Sequence, residues 1–339
     1  MRAIALIETF GHVSARYRLA AFAPALSEAG CPLTFAAIPR GALRRLLLFS
    51  KAAAFDTVLL QRRLLPAYQL KYLRRTSRRL IFDFDDAVFC RDSYDPRGIA
   101  STYREGLFRN VMSAADDVIA GNDFLKERAA ASGARRDSIH VIPTCVDPGR
   151  YPPANHDAKE VLNLVWIGSS STLQGLERRR GLFQNVARRL PKMQLRIICD
   201  RFPDFAQPPL VSIRWSEATE AAEIAAGDIG ISLVPNDLWS RGKCGLKVLQ
   251  YYAAGLPVIA NSVGVHAQMI RCGITGMLAD TDEQWIEAIR ALSEPETRRR
   301  LGRAGRECLE QRYSLAAYRH RLVDIVTRSS SPMERNFGA

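Results

Sequence analysis

Residues Gly242 to Ile270 read GKCGLKVLQYYAAGLPVIANSVGVHAQMI, a helix, a turn, a strand and a second glycine loop in close succession. Lys247 to Ala254 is built from good helix formers with apolar residues on one face. Gly255 stands where a C-terminal cap glycine belongs, and Pro257 follows where a helix cannot continue. Val258-Ile259-Ala260 reads as a short buried parallel strand, and Asn261 to Gly264 as the turn at its carboxyl end. Open α/β sheets bind ligands at that edge. Lys243 and Lys247 are spaced by one helical turn, so both are expected to face one anion. A solvated surface helix would share the lysines and the glycine, but not the whole spacing K-x-x-Q-Y-x-A-x-G-x-P-V.

The same alternation extends outward in both directions. Ala3–Glu8, Leu33–Ile38, Thr57–Gln61, Leu80–Phe84 and Asp117–Ala120 read as strands of a first sheet, and Ile139–Pro143 ends that half. Helical segments such as Tyr17–Ala29 separate them, which predicts a doubly wound parallel sheet. Asp147 to Ala158, with three prolines and a glycine, is expected as a linker. A second sheet is predicted from Leu162–Ile167, Leu195–Cys199, Val211–Arg214, Ile229–Val234 and Val258–Ala260. The domains are therefore placed at 1–147 and 159–314, joined by 148–158. A last helix, about 315–326, is expected to pack back on the first domain, and 328–339 reads as a disordered tail.

The 339 residues suffice for two domains with proper cores. No run of about eighteen apolar residues is present, so no transmembrane helix is expected. Met1 to Glu8 reads as a strand rather than a secretory leader. The seven cysteines form no CxxC pair and no zinc spacing, as in a reduced cytoplasmic protein. The net charge of +13 is concentrated: between Arg40 and Leu80, eleven basic residues face Asp56 alone, giving +10. These are interleaved with Leu43, Leu46, Leu47, Tyr68, Tyr72 and other apolar residues. A basic amphipathic surface suits an anionic membrane face. It could also suit nucleic acid, but no zinc-finger, RRM or KH signature supports that partner, and a merely solvated basic face stays open.

The string from Gly242 to Pro257 resembles the donor-binding segment of glycosyltransferase family 4, built on the GT-B fold of two Rossmann-like doubly wound domains facing across a cleft. The likeness is strongest from Val161 to about Tyr313. It includes the Gly168 loop, the Pro235 loop, Thr275–Leu278, Trp285, and Arg298–Arg306 followed by Tyr313-Ser314. Phe82–Ala87, Val118–Asn122 and Val141–Asp147 resemble one bacterial branch. The resemblance implies transfer of a sugar from a nucleotide-diphosphate sugar to a glycan or lipid-linked acceptor, with retention, in cell-envelope polysaccharide or glycolipid synthesis. It implies no cofactor and no metal, and a place in the cytoplasm, peripheral on the inner membrane face. Two departures stand out. The family's Glu-x7-Glu pair falls on Gly242 and Gln250, and the basic residues usual after the second domain's first strand are replaced by Gly168-Ser-Ser-Ser-Thr172. Gln250 bonds without charge. The resemblance and these departures together place the donor at Gly168, Ser169, Ser170, Lys243, Lys247, Gln250, Gly264 and His266, with Ser169 to Thr172 equally able simply to cap a helix.

Asp83-Phe-Asp-Asp86 puts three carboxylates at a strand end, costly unless solvated, metal-bound or functional. A haloacid-dehalogenase-type phosphatase and a metal-binding Asp-x-Asp are alternatives. The preferred expectation sets Asp85 or Asp86 at the acceptor, as catalytic residues beside Lys247. His12, Arg16 and Arg18, after the first strand, are expected to hold the acceptor. A non-catalytic protein that binds a nucleotide or glycan is the alternative that the missing glutamates keep open.

Overall fold

The computed structural model describes residues 1–328; the expected tail, 329–339, lies outside the described residues. The chain divides into two compact units. The first comprises Met1–Thr144, Gly242–Cys244 and the chain from Tyr318 on, and the second Cys145–Arg241 with Gly245–Ala317.

The first unit is built on strands β1 (Ala3–Ile7), β2 (Leu33–Ala37), β3 (Thr57–Gln61), β4 (Leu80–Phe84), β5 (Asp117–Ala120) and β6 (Ile139–Val141). They pair in parallel in the order β2-β1-β3-β4-β5-β6. Strands β1, β3 and β4 are buried throughout, as expected of parallel strands covered on both faces, while the edge strand β2 is half exposed. Successive side chains of β4 point to opposite faces. Phe82 and Phe84 meet Phe108 of helix Thr102–Ala114 at ring-centroid distances of 6.4 and 5.4 Å. Asp83 points the other way.

The helix expected at Tyr17–Ala29 is broken into Val13–Arg18, a 3-10 turn Ala20–Phe22 and Ala23–Glu28. Pro24 lacks an N–H and has a fixed φ, so it suits the first turn of a new helix and not the interior of an old one. The last helix, Leu315–Thr327, lies against this unit from Tyr318 on: the Thr57 hydroxyl donates to the Val326 carbonyl at 3.0 Å, and Arg319 pairs with Glu28. Arg79, buried, donates to the carbonyls of Val326 and Arg328 while pairing with Asp117.

The second unit carries β7 (Leu162–Ile167), β8 (Met193–Cys199), β9 (Leu210–Arg214), β10 (Ile229–Ser232), β11 (Val258–Ala260) and β12 (Gly276–Leu278), all parallel, in the order β12-β11-β10-β7-β8-β9. Its core packs Trp166, Phe183, Phe205 and Trp285 with aliphatic residues. Residues 148–158, expected as a linker, pack into this unit. Ala154 N–H donates to the Ala254 carbonyl at 2.8 Å, and Arg306 reaches the carbonyls of Pro148 and Tyr151. Apart from a 3-10 turn at Pro148–Arg150, the segment is irregular, yet it packs. Among the described residues no helix is long and apolar enough to cross a membrane.

Replacing Arg79 by Met should leave Asp117 short of its main cation and the end of the last helix uncapped. We expect a loss of about 3 kcal/mol in urea unfolding, against less than about 1 kcal/mol for Arg78→Met, whose pair with Asp56 is exposed.

Candidate functional site

Each unit has a cluster at the carboxyl edge of its sheet, near the point where the strand order reverses. In the first unit that point lies between β1 and β3. Register sets Gln61 beside Asp83, and the Gln61 amide donates to the Asp83 carboxylate at 3.0 Å. Arg18 grips the same carboxylate, with its Nε 3.1 Å from each oxygen and Nη2 at 2.6 Å, and donates through Nη1 to the Ile142 carbonyl. Both charges are buried. Arg18, expected to hold the acceptor, thus forms the floor of the cluster. It follows the turn of helix Val13–Arg18 inward to a carboxylate that would otherwise be buried and unpaired.

Asp85 and Asp86 follow β4. Arg62, the first residue after β3, bridges them through Nη1 at 2.7 Å to each and also donates to Ser14 Oγ at 2.8 Å. Its backbone has φ +56°, a left-handed conformation costly for a side chain with a Cβ. Its N–H donates to the Asp83 carbonyl at 2.8 Å, and the two carboxylates hold the guanidinium in place. Burial alone would raise the Asp85 pKa, but Arg62 and Arg18, with a hydrogen bond from Ser14, bring it below the ordinary value of 3.8. Asp85 is therefore ionised at neutral pH and, in this arrangement, a weak base. Lys243 completes the cluster at 3.6 Å from Asp86. Three carboxylates face three cations, and among the described residues no group of three or more His, Cys, Asp or Glu side chains is arranged to hold a metal ion.

Lys243 does not share a helix with Lys247. Helix Leu246–Ala253 begins after Gly245, which has φ +68°, and Gly242–Cys244 runs along the first unit. The Asn122 side-chain amide donates to the carbonyls of Gly242 and Lys243 at 3.2 and 3.0 Å, and the Cys244 thiol donates to the Asp85 carbonyl. A Cβ at Gly242 would lie 2.6 Å from the Ala87 nitrogen, and one at Gly121 would lie 2.3 Å from the Cys244 sulfur. The glycine in place of the expected glutamate is thus a packing requirement. His12 caps helix Val13–Arg18, its Nδ1 accepting from the Ser14 N–H at 3.2 Å; burial and Arg62 lower its pKa. Arg16 lies over the Tyr17 ring and donates to the Tyr17 hydroxyl at 2.7 Å.

In the second unit the reversal falls between β7 and β10. Tyr251, on helix Leu246–Ala253, stands between the ends of these strands. Its hydroxyl accepts from the Ile167 N–H at 3.2 Å and donates to the Ile231 carbonyl at 3.1 Å, and burial raises its pKa, so the donating proton is kept. The ring occupies space that a Cβ at Gly230 would enter at 2.3 Å. Lys247, four residues earlier on the same face, holds its Nζ 5.2 Å from the centre of the Trp166 ring. That ring also leaves no room for a Cβ at Gly168. Trp166, Gly168 and Lys247 are thereby fixed together at the end of β7.

The Ser169–Thr172 run caps helix Ser170–Glu177: the Ser169 N–H donates to Thr172 Oγ1 at 3.2 Å. The Ser170 N–H donates to the Asp200 carboxylate at 2.7 Å, so an anion of the protein's own already meets this helix end. Gln250 is buried, its amide donating to the Tyr151 hydroxyl at 3.3 Å. His266 is buried too. Its Nδ1 faces the Asn261 carbonyl at 3.1 Å, which only accepts, so that nitrogen carries the proton and Nε2 accepts from Ser232. Burial lowers its pKa to about 4. Gly264, at φ +57°, turns the loop beneath the Arg241 backbone. Sequence reasoning singled out neither Arg62 nor Trp166, Tyr251 and Asp200 as site residues. Their signal is positional, since Arg62, Trp166 and Asp200 stand at strand ends beside or next to a reversal point.

Residues 178–327 match the family model described as glycosyl transferase-like. Among solved structures, the chain is similar to sucrose-phosphate synthase from Thermosynechococcus elongatus, with 17% identity, a TM-score of 0.72, and 95% and 97% of the two chains covered. It is similar to Anabaena HepE in complex with UDP-glucose, with 13% identity, a TM-score of 0.70 and coverage of 96% and 98%. The lipopolysaccharide outer core galactosyltransferase WaaB follows at 14% identity and a TM-score of 0.66, with 96% and 99% covered. No curated protein sequence matches. The fold, two parallel six-stranded sheets with helices, is GT-B.

Two outcomes are expected of the first cluster. Asp85, held below 3.8, contributes stability that is complete above the ordinary carboxylate range and is lost as pH falls through its folded value. Arg62→Gln should raise that value and move the acid-unfolding midpoint, followed by circular dichroism, to higher pH. Gly242→Glu, which restores the family residue, should cost about 2 kcal/mol in thermal unfolding through overlap with Ala87.

Proposed function

We propose that this protein is a glycosyltransferase that moves a sugar from a nucleotide-diphosphate sugar to a hydroxyl of a glycan or lipid-linked acceptor. The observation that carries the reading is Lys247 held over Trp166 beside Gly168 at the strand-order reversal of the second unit, where open α/β sheets bind ligands. The glycosyl transferase-like match over 178–327 supports it. Anabaena HepE was solved with UDP-glucose, which makes uridine nucleotides the first donors to try.

In this reading the acceptor hydroxyl attacks the anomeric carbon and negative charge develops on the leaving diphosphate. Lys247, beside the Gly168 loop, stabilises that charge, the largest usual contribution to such catalysis. Gln250, Gly264 and His266 support the donor site from within, His266 neutral, donating to the Asn261 carbonyl and accepting from Ser232. A donor phosphate oxygen takes the acceptor proton and configuration is retained. Asp85 and Asp86, bridged by Arg62, position the acceptor with His12 and Arg16 and do not act as base. No metal takes part. The product enters cell-envelope polysaccharide or glycolipid, and the protein works in the cytoplasm at the inner membrane face.

A second reading, binding without transfer, is favoured by Gly242 and by the burial of Gln250 against Tyr151. A thermal-shift panel of UDP, GDP, ADP and their sugars separates the two when combined with a donor-hydrolysis assay. A ligand at about one hundred times its dissociation constant adds about 2.7 kcal/mol. We expect one nucleotide to stabilise the protein and its sugar to be slowly hydrolysed, with Lys247→Ala lowering turnover at least tenfold. Stabilisation without hydrolysis would establish the second reading, and full activity in Lys247→Ala would remove the phosphate assignment.

A further inference from the structure

Helices Ala42–Ala52 and Ala67–Thr76 follow β2 and β3 and pack side by side on the first unit. Arg45 on one reaches Gln69 on the other. Their inner faces bury Phe49, Ala52, Leu70 and Leu73. Their outer faces are not the polar surfaces such helices usually present. Leu43 and Leu47, one turn apart, are 72% and 57% exposed, and Tyr68 and Tyr72, again one turn apart, are 57% and 36% exposed. Exposed Arg40, Arg44, Lys71 and Arg75 flank them. Lys71 and Arg75 fall in the same helical stripe as the tyrosines, at spacings of three and seven from Tyr68. The region's one acid, Asp56, is bound to the Arg2 N–H and to Arg78.

We propose that this pair of helices docks on an anionic lipid bilayer, with Leu43, Leu47, Tyr68 and Tyr72 seated at the boundary of headgroups and acyl chains. Charge complementarity selects the lipid: the surface is basic throughout and meets anionic headgroups. The apolar ridge selects a bilayer over nucleic acid, because a phosphate backbone offers nothing to two leucines. Tyrosines favour the interfacial zone, and the long basic side chains reach up to the headgroups from a helix lying in the plane.

Topology sets the orientation. In a parallel sheet each helix starts at the carboxyl edge of the strand before it, so Leu43 and Tyr68 lie at that edge. Arg62, which bridges Asp85 and Asp86, stands at the same edge, six residues before Tyr68. The lipid surface would therefore meet the unit beside the acceptor cluster. This deepens the proposed function and rests on it for the identity of the acceptor, though not for vesicle binding.

The test is co-sedimentation of the full chain with vesicles of phosphatidylglycerol and phosphatidylcholine, against pure phosphatidylcholine, at low and high salt. Two variants accompany it, L43S/L47S/Y68S/Y72S and R40Q/R44Q/K71Q/R75Q, each first checked for an unchanged melting temperature. A third, Leu43→Trp, reports insertion through its emission. We expect at least tenfold stronger binding to the anionic vesicles, reversed by salt. We also expect at least tenfold loss in either quadruple variant, and a blue shift of the indole on binding. Equal binding to both vesicle types, full binding by the serine variant, an unshifted indole, or displacement from vesicles by a short RNA would each overturn the proposal. Nucleotide stabilisation measured on the same samples reads the donor site separately, so failure at the membrane and failure of the transferase reading are told apart.

Discussion

Three carboxylates within four residues at the end of a buried strand demand three nearby cations, and the first unit is arranged to supply them. Asp83 takes Arg18 from the helix after β1, Asp85 and Asp86 share Arg62 from the end of β3, and Asp86 draws Lys243 from a segment more than a hundred and fifty residues later in the chain. Desolvating any one of these charges alone would cost several kcal/mol. Local neutrality therefore ties three separate stretches of chain to one strand end. It also explains why Arg62 keeps a left-handed backbone: two carboxylates and Ser14 fix its guanidinium where the strained φ aims it.

The second unit solves a different problem with an uncharged device. Beyond their paired residues β7 and β10 part, leaving the Ile167 N–H and the Ile231 carbonyl facing one gap. One phenol satisfies both, accepting from the first and donating to the second, and Gly230 gives its ring room. Since Tyr251 is locked, the helix that carries it is locked, and with it the placement of Lys247 one turn away over Trp166. A cation held on rigid elements in this way needs no rearrangement to meet developing charge.

Much of this was legible in the residues. Continuous apolar runs such as Val58–Leu60 and Leu80–Phe82 marked central parallel strands, because burial on both faces leaves no polar alternation to confuse them. The short β12, Gly276–Leu278, opens on a glycine and lacks the β-branched residues that mark the equally short β11, Val258–Ala260. The break at Pro24 is a local proline effect that the apolar pattern of Tyr17–Ala29 masks, whereas the packing of residues 148–158 depends on tertiary contacts that a one-dimensional pattern does not encode. So does the site. Lys243 and Lys247 have helical spacing in sequence, but Gly245 adopts positive φ between them, and the Asn122 amide holds the preceding backbone elsewhere. Arg18 looked like a loop cation and is a buried counter-ion.

The departures from the resembling family take on physical meaning in this light. A glutamate at position 242 would need space that the Ala87 backbone fills, so the glycine and the close docking of Gly242–Cys244 belong together. Gln250 is directed at Tyr151 in a buried setting, where an ionised glutamate would be expensive and an amide is not. At the helix end after β7, Asp200 already answers the Ser170 N–H. Any diphosphate bound there must therefore find its charge partner elsewhere. The half-buried Lys247, fixed by Tyr251 and Trp166, is the cation that the second unit's own packing brings to that strand end, which is why the transfer chemistry proposed for this chain rests on it more heavily than on either lost glutamate.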